Sequence, residues 1–121
     1  MERVMGIGGV FLKARDPKAL AAWYREHLGI SVPSGQTHGI MTSAGAGEKT
    51  AWSTFPADTA KFGPSSATFM LNYRVQNLDA MLAQLRAAGA NVEDKVEDHV
   101  YGRFGWASDP EGNRFELWEP K

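Results

Sequence analysis

Glu116 stands in the middle of Arg114-Phe-Glu-Leu-Trp118, where polar and amphipathic residues alternate with apolar ones at the period of a half-buried strand. A carboxylate at such a place can take a proton from a carbon acid, ligate a metal, or pair with Arg74, Arg103 or Arg114. Trp118 shares its strand face, and Trp118 and Trp52 together offer stacking surfaces for a planar or apolar ligand flanking the carboxylate. The other reactive residue types form no pattern. His27 falls at a helix end, where a cation suits the dipole, and His38 and His99 fall in loops; none shows H-x-H or H-E-x-x-H spacing. There is no G-x-S-x-G elbow, and neither Gly6-Ile-Gly-Gly9 nor Ser43 to Gly47 matches a phosphate loop. With no cysteine, disulfides, thiolate zinc sites and a thiol nucleophile are excluded.

The chain that must position Glu116 has 121 residues, 43% hydrophobic and 22% charged, the balance of an ordinary globular unit. A net charge of −1 leaves no electrostatic footprint for nucleic acid or an anionic membrane. No apolar run approaches the ~20 residues that span a bilayer, and no leader-like segment is present, so the expected location is the cytoplasm.

Ile7 to Lys13 reads as a strand and Asp16-Pro17 as a helix start, the carboxylate capping and the proline fitting the first turn. Leu20, Ala21, Tyr24 and Leu28 recur at helical spacing up to Gly29. Ile30 to Val32 reads as a further short strand, and Gly39 to Thr42 with Thr50 to Phe55 as a hairpin. Pro56 to Ser66 is polar and turn-rich, a linker. Ala67 to Val75 is a strand, Asn77 caps a helix carrying Leu78, Met81, Leu82 and Leu85, and Gly89 closes it. Asn91 to Val96 is another strand, Glu97-Asp98 a solvated acidic turn, and the chain ends in a hairpin around Asp109-Pro-Glu-Gly-Asn113.

The order β-α-β-β-β therefore occurs twice. At one offset Leu12 falls on Tyr73, Asp16 on Asn77, Leu20 on Met81 and Tyr24 on Leu85, so cap matches cap and buried face matches buried face. The expected organisation is a single domain, 1–121, of two modules, 1–56 and 67–121, joined by linker 57–66.

Two such modules, the segment Asp16-Pro-Lys-Ala-Leu-Ala-Ala-Trp-Tyr-Arg-Glu-His-Leu-Gly29, and the closing Asp-Pro-Glu-Gly-Asn-x-x-Glu-Leu resemble the vicinal oxygen chelate superfamily. That group includes glyoxalase I, extradiol dioxygenases, fosfomycin-resistance enzymes and bleomycin-resistance proteins. The resemblance covers the whole chain and implies an α+β fold: paired βαβββ modules in a cupped sheet with helices on the outer face, usually in a homodimer. Catalytic members hold a divalent metal through one residue near each end of each module. Carried over, the last position is Glu116, which fits. The first is Gly9, the third Met70, and the second lies within Ala51 to Ser53, none of which offers a suitable donor. The resemblance thus implies no standard metal centre and no cofactor, the alternative being a divalent metal at a non-standard site where His38 and His99 join Glu116.

If Glu116 faces the cup, Arg114 and Trp118 do too; Phe11 and Lys13 follow Gly9, and Asn72 and Arg74 follow Met70. Val10, Leu12, Leu71, Tyr73, Val75, Phe115 and Leu117 would then face the helices. The leading expectation is a metal-independent binding protein of the glyoxalase/bleomycin-resistance type. It takes a small aromatic or apolar compound through Phe11, Trp52, Met70 and Trp118, oriented by Asn72 and Glu116, with loops 34–49 and 56–66 setting the cup volume. The alternative is a lyase or isomerase of the lactoylglutathione-lyase type, with Glu116 as general base and Arg74, Arg103 or Lys13 stabilising an enolate oxygen.

Overall fold

A computed structural model describes residues 1–42, 47–63 and 66–121. Its elements run β1 (Val4–Ala14), α1 (Pro17–Leu28), β2 (His38–Thr42), β3 (Lys49–Pro56), β4 (Phe69–Val75), α2 (Leu78–Ala87), β5 (Asn91–His99), β6 (Gly102–Ser108) and β7 (Arg114–Pro120). All seven strands join one mixed sheet in the order β2-β3-β1-β4-β7-β6-β5. This is the α+β architecture the repeat implied. β1 and β4, the opening strands of the two halves, pair antiparallel at its centre, while β1–β3 and β4–β7 are parallel.

Local chemistry sets both helices. Asp16 Oδ1 accepts the Ala19 N–H at 3.1 Å with Pro17 in the first turn, and Asn77 Oδ1 accepts the Ala80 N–H at 3.0 Å. The two caps are equivalent in the repeat and bind in the same way. α1 stops at Gly29 in the left-handed region (φ 69°). The β6–β7 turn is organised by a residue given no special part above: Asp109 Oδ1 accepts from the N–H groups of Glu111 and Asn113, both at 2.9 Å, and Oδ2 from Asn113 Nδ2 at 2.8 Å. Gly112 supplies the positive φ of 87° that this turn requires.

Three expectations about elements change. Ile30 to Val32 is not a strand: the Val32 N–H donates to Ile30 O at 2.8 Å, folding the backbone on itself, and Pro33 then removes the next donor. β5 continues through Glu97 and Asp98 to His99, so the supposed acidic turn is strand, with Glu97 joined on one face to Lys95 by an ion pair of 2.7 Å and to His99 by a hydrogen bond of 2.8 Å. The segment 57–66 is polar and turn-rich, yet Phe62 within it is 1% exposed and packs against Phe11 and Met70. The expected loop Ser43 to Gly47 lies, apart from Gly47, outside the described residues.

The sheet has a helix-facing side and a cup side. Under α2, Val75 and Leu117 pack with Leu78, Met81 and Leu82, with Tyr73 and Phe115 alongside; Leu12 lies with Ala21 and Val32 under α1. Strand parity implied this layer for Leu12, Tyr73, Val75, Phe115 and Leu117, but Leu71, expected in it, is 38% exposed. No helix among the described residues is long and apolar enough to cross a membrane.

Candidate functional site

The cup side of β1, β4, β6 and β7 converges on Glu116. The β6–β7 register sets Trp106 directly opposite it, and the β4–β7 register sets Asn72 beside it. Both neighbours are nearly sealed from solvent, Asn72 at 1% exposure and Trp106 at 7%. Asn72 Nδ2 donates to Glu116 Oε1 at 2.6 Å and Trp106 Nε1 donates to Oε2 at 3.0 Å. Of the readings open for Glu116, pairing with Arg74, Arg103 or Arg114 is therefore not the one seen among the described residues. Burial is the largest influence on Glu116 and pushes its carboxyl above the usual range, against the lowering effect of these two hydrogen bonds.

The three arginines have other work. Arg114 holds Glu93 through two bonds of 2.6 and 2.7 Å, donates to Lys61 O, and lies with its guanidinium carbon 5.3 Å from the Trp106 ring centroid. Glu93 is held below the ordinary carboxylate range by that fork. Arg74 is spent on a clasp: it donates to Ile7 O and Lys49 O, each at 2.6 Å, and to Glu48 at 3.0 Å, tying β1 to the start of β3. Arg103 turns towards α2 and pairs with Asp79 at 3.0 Å, so its placement among the cup residues is corrected by parity, since it alternates with the cup-facing Phe104.

Asn72 also carries an unspent acceptor. With its nitrogen committed to Glu116, its Oδ1 is buried with no hydrogen-bond partner among the described residues, an arrangement that costs about 1–3 kcal/mol. Gly8, the extra residue of a β1 bulge between Ile7 and Gly9, makes space for it. A Cβ at Gly8 would overlap Asn72 Oδ1 and lie 3.1 Å from the Trp118 ring.

Beside this relay a cavity of about 170 Å³ opens, its wall almost wholly apolar. Phe11, Phe55, Phe104 and Trp118 furnish the rings, Asn72 a polar point on β4, and His38 and Ser53 polar groups across β1 on β2 and β3. Trp118 stacks on Phe104 with centroids 6.0 Å apart and planes within 5°, and its Nε1 donates to Tyr101 O at 3.0 Å. Glu116 is not on the wall; Asn72 and Trp118 are.

Of the residues expected in the cup, Phe11, Asn72 and Trp118 meet at the cavity. Trp52 borders it, but its register partner is Val10, on the helix-facing side, and its indole packs on Tyr24 at 4.8 Å under α1. A Trp52–Trp118 clamp across Glu116 is therefore absent, and Phe104 takes the second place. Met70 is 2% exposed in the cluster with Phe11 and Phe62 and does not reach the cavity wall. Trp106 and Phe104 were missed, though the hairpin register would have found them: a turn at Asp109–Asn113 that pairs Ser108 with Arg114 also pairs Trp106 with Glu116 and Phe104 with Trp118.

The positions that hold a divalent metal in catalytic relatives do not fit one here. Gly9 has no side chain, Ala51 and Ser53 face the cup without a carboxylate or imidazole, and Met70 is packed under Phe62. Nor do His38 and His99 join Glu116. His38 lies in β2 at the cavity rim, and His99, at the end of β5, bonds Glu97 at 2.8 Å. No three His, Asp or Glu side chains among the described residues are grouped to hold an ion.

A search of curated proteins by sequence found no match. Among solved structures the chain is similar to a Streptomyces coelicolor methylmalonyl-CoA epimerase variant in complex with 2-nitronate-propionyl-CoA, with 16% identity, a TM-score of 0.75, and 98% of this chain and 99% of that one covered. It is also similar to methylmalonyl-CoA epimerase from Mycobacterium tuberculosis (20% identity, TM-score 0.67, 98% and 89% covered). A third likeness is to an NAD-dependent benzaldehyde dehydrogenase from Legionella pneumophila (14% identity, TM-score 0.62, 93% and 98% covered). At these identities the likeness is one of fold. The glyoxalase-like domain family matches residues 9–118. With the seven-stranded cup and the Asp109–Glu116 hairpin in place, that span assigns the chain: it belongs to the glyoxalase-like domain family, within the vicinal oxygen chelate superfamily.

Proposed function

We propose that this chain is a small-molecule-binding protein of the glyoxalase/bleomycin-resistance type, which holds a compact aromatic or apolar compound in its cup without a metal. The observation that carries this reading is the cavity of about 170 Å³, close to one aromatic ring in capacity, walled by Phe11, Phe55, Phe104 and Trp118 with a few polar residues, Asn72, His38 and Ser53. Sequestering a compound requires shape and desolvation but no electrophile. Titration of single-ring aromatics against tryptophan fluorescence tests it: saturable quenching through Trp118 is expected, and its abolition by Trp118→Ala with the fold intact. Failure of every such compound to bind, or one tightly held divalent metal per purified chain, would overturn it.

An isomerase reading draws support from the raised proton affinity of Glu116 and from the fold shared with methylmalonyl-CoA epimerases. Its requirements are met less well. Both Glu116 oxygens are occupied by donors, and of the cations named as enolate stabilisers Arg74 and Arg103 are engaged elsewhere and Lys13 Nζ lies 5.7 Å from the Phe62 ring centroid. Solvent-deuterium incorporation into a bound carbon acid, lost in Glu116→Gln, would restore this reading over the first. We further propose a homodimer whose second copy covers Phe69 and Leu71, apolar side chains of β4 that are 60% and 38% exposed.

A further inference from the structure

The cavity ends on a ring that the chain has braced from behind. Its β3 wall runs from Ala51 to Phe55, so Phe55 is the last residue of that strand to face it. The Phe55 ring lies 5.5 Å from that of Phe11 and 5.3 Å from that of Phe62, edge to face with the second. Phe62 is 1% exposed and lies off the cavity wall, packed against Phe11 and Met70. Phe11 and Met70 are register partners across β1 and β4, and Phe11 lines the cavity, so Phe62 occupies the same face of the sheet. The space beyond Phe55 is thus also cup, filled by one of the chain's own rings. The backbone fixes that ring on both sides. The Gly63 N–H donates to Ala60 O at 3.4 Å, and Lys61 O accepts from Arg114, which is itself forked to Glu93.

We propose that Phe55 limits the ligand to a single ring, and that Phe62 is the positioning residue that keeps Phe55 in the way of a larger one. The proposal rests on the small-molecule reading above and names the residues that set the size of compound admitted. Close packing supplies the mechanism. A wall with neighbours seated on its far side cannot yield to a larger ligand without displacing them, and overpacking of that kind is costly. Shortening Phe55 adds the space of its ring to the cavity. Shortening Phe62 removes the brace, and Phe55 can swing into the vacated space. Both changes lengthen the cup in one direction, towards Met70, and a second fused ring would lie where the chain's own ring was.

Binding of toluene and naphthalene to the full chain tests it, with the Trp118 indole N–H at the cavity wall followed by NMR. The parent should bind toluene about tenfold more tightly than naphthalene, the effect of modest overpacking. Phe55→Ala should reverse that order. Phe62→Ala should shift the ratio the same way by a smaller factor, and Phe62→Leu, which refills most of the space, should return it towards the parent's. The ratio is the readout, since simple loosening of the fold weakens both compounds alike. Equal binding of the two by the parent, or the parent's preference surviving in Phe55→Ala, overturns the inference while leaving the small-molecule reading intact. A parent-like ratio in Phe62→Ala overturns the part given to Phe62. Binding of neither compound by the parent overturns the inference and the reading together. Should Phe55→Ala fail to fold by circular dichroism, Phe55→Leu, which loses the ring but keeps an apolar side chain, decides the matter by the same ratio.

Discussion

A carboxylate that exchanges water for one amide and one indole donor is partly compensated, and the direction of its shift tells how far. Burial outweighs the two hydrogen bonds, so Glu116 binds its proton more tightly in the folded chain than in the unfolded one. Between the ordinary glutamate range and the raised folded value the native state holds more protons. Its stability contribution therefore falls as pH rises through that window and is least unfavourable below it. Glu116→Gln removes the titration. The difference in urea midpoint between mutant and parent should move in the mutant's favour from pH 4.5 to pH 8, and a constant difference would refute a raised folded value. The wall of the relay is equally specific: Gly8→Ala puts a methyl where Asn72 Oδ1 lies, and a thermal melt should show a loss of about 1–3 kcal/mol together with loss of ligand binding.

At the scale of elements, the readable parts of the chain were those governed by neighbours in sequence. Asp16-Pro17 and Asn77 start helices because the cap reaches only three residues ahead, and the repeat gave the order of strands around them. The Glu116 face of β7 was readable because Arg114 to Trp118 alternate. β3 was not: Ala51, Trp52 and Phe55 put apolar groups on both faces, so nothing in the pattern sends Trp52 to α1 and Phe55 to the cup. Phe62 was hidden for a related reason, as one apolar residue among turn formers has no period, and only the tertiary fold shows it seated on Phe11, Phe55 and Met70. That seat makes a prediction. Phe62→Ala should cost about 3–5 kcal/mol, read from chemical denaturation, and should leave the secondary structure unchanged. A loss under 1 kcal/mol would mean that the Phe62 side chain contributes little to the Phe11–Met70 cluster.

Over the whole molecule, the described cup draws on both halves of the chain, Phe11 and Phe55 from one and Asn72, Phe104 and Trp118 from the other. A second copy would serve a different end, covering Phe69 and Leu71 on the opposite side of the sheet. Light scattering should report a dimer at micromolar concentration and a monomer for Leu71→Arg, with aromatic binding retained in that variant; a monomeric parent protein refutes the dimer. The antiparallel junction of β1 and β4 has a further consequence for how the protein comes into being. Residues 4–12 of β1 bond to residues 69–75 of β4, so once synthesised β1 waits for some sixty further residues before one of its edges is closed. Until then β1 offers open backbone groups along an apolar ribbon, the state in which nascent chains adhere to one another. The strand that gives Phe11 to the cavity wall is thus also an open edge during synthesis, and chaperone capture of stalled nascent chains should peak just before β4 emerges.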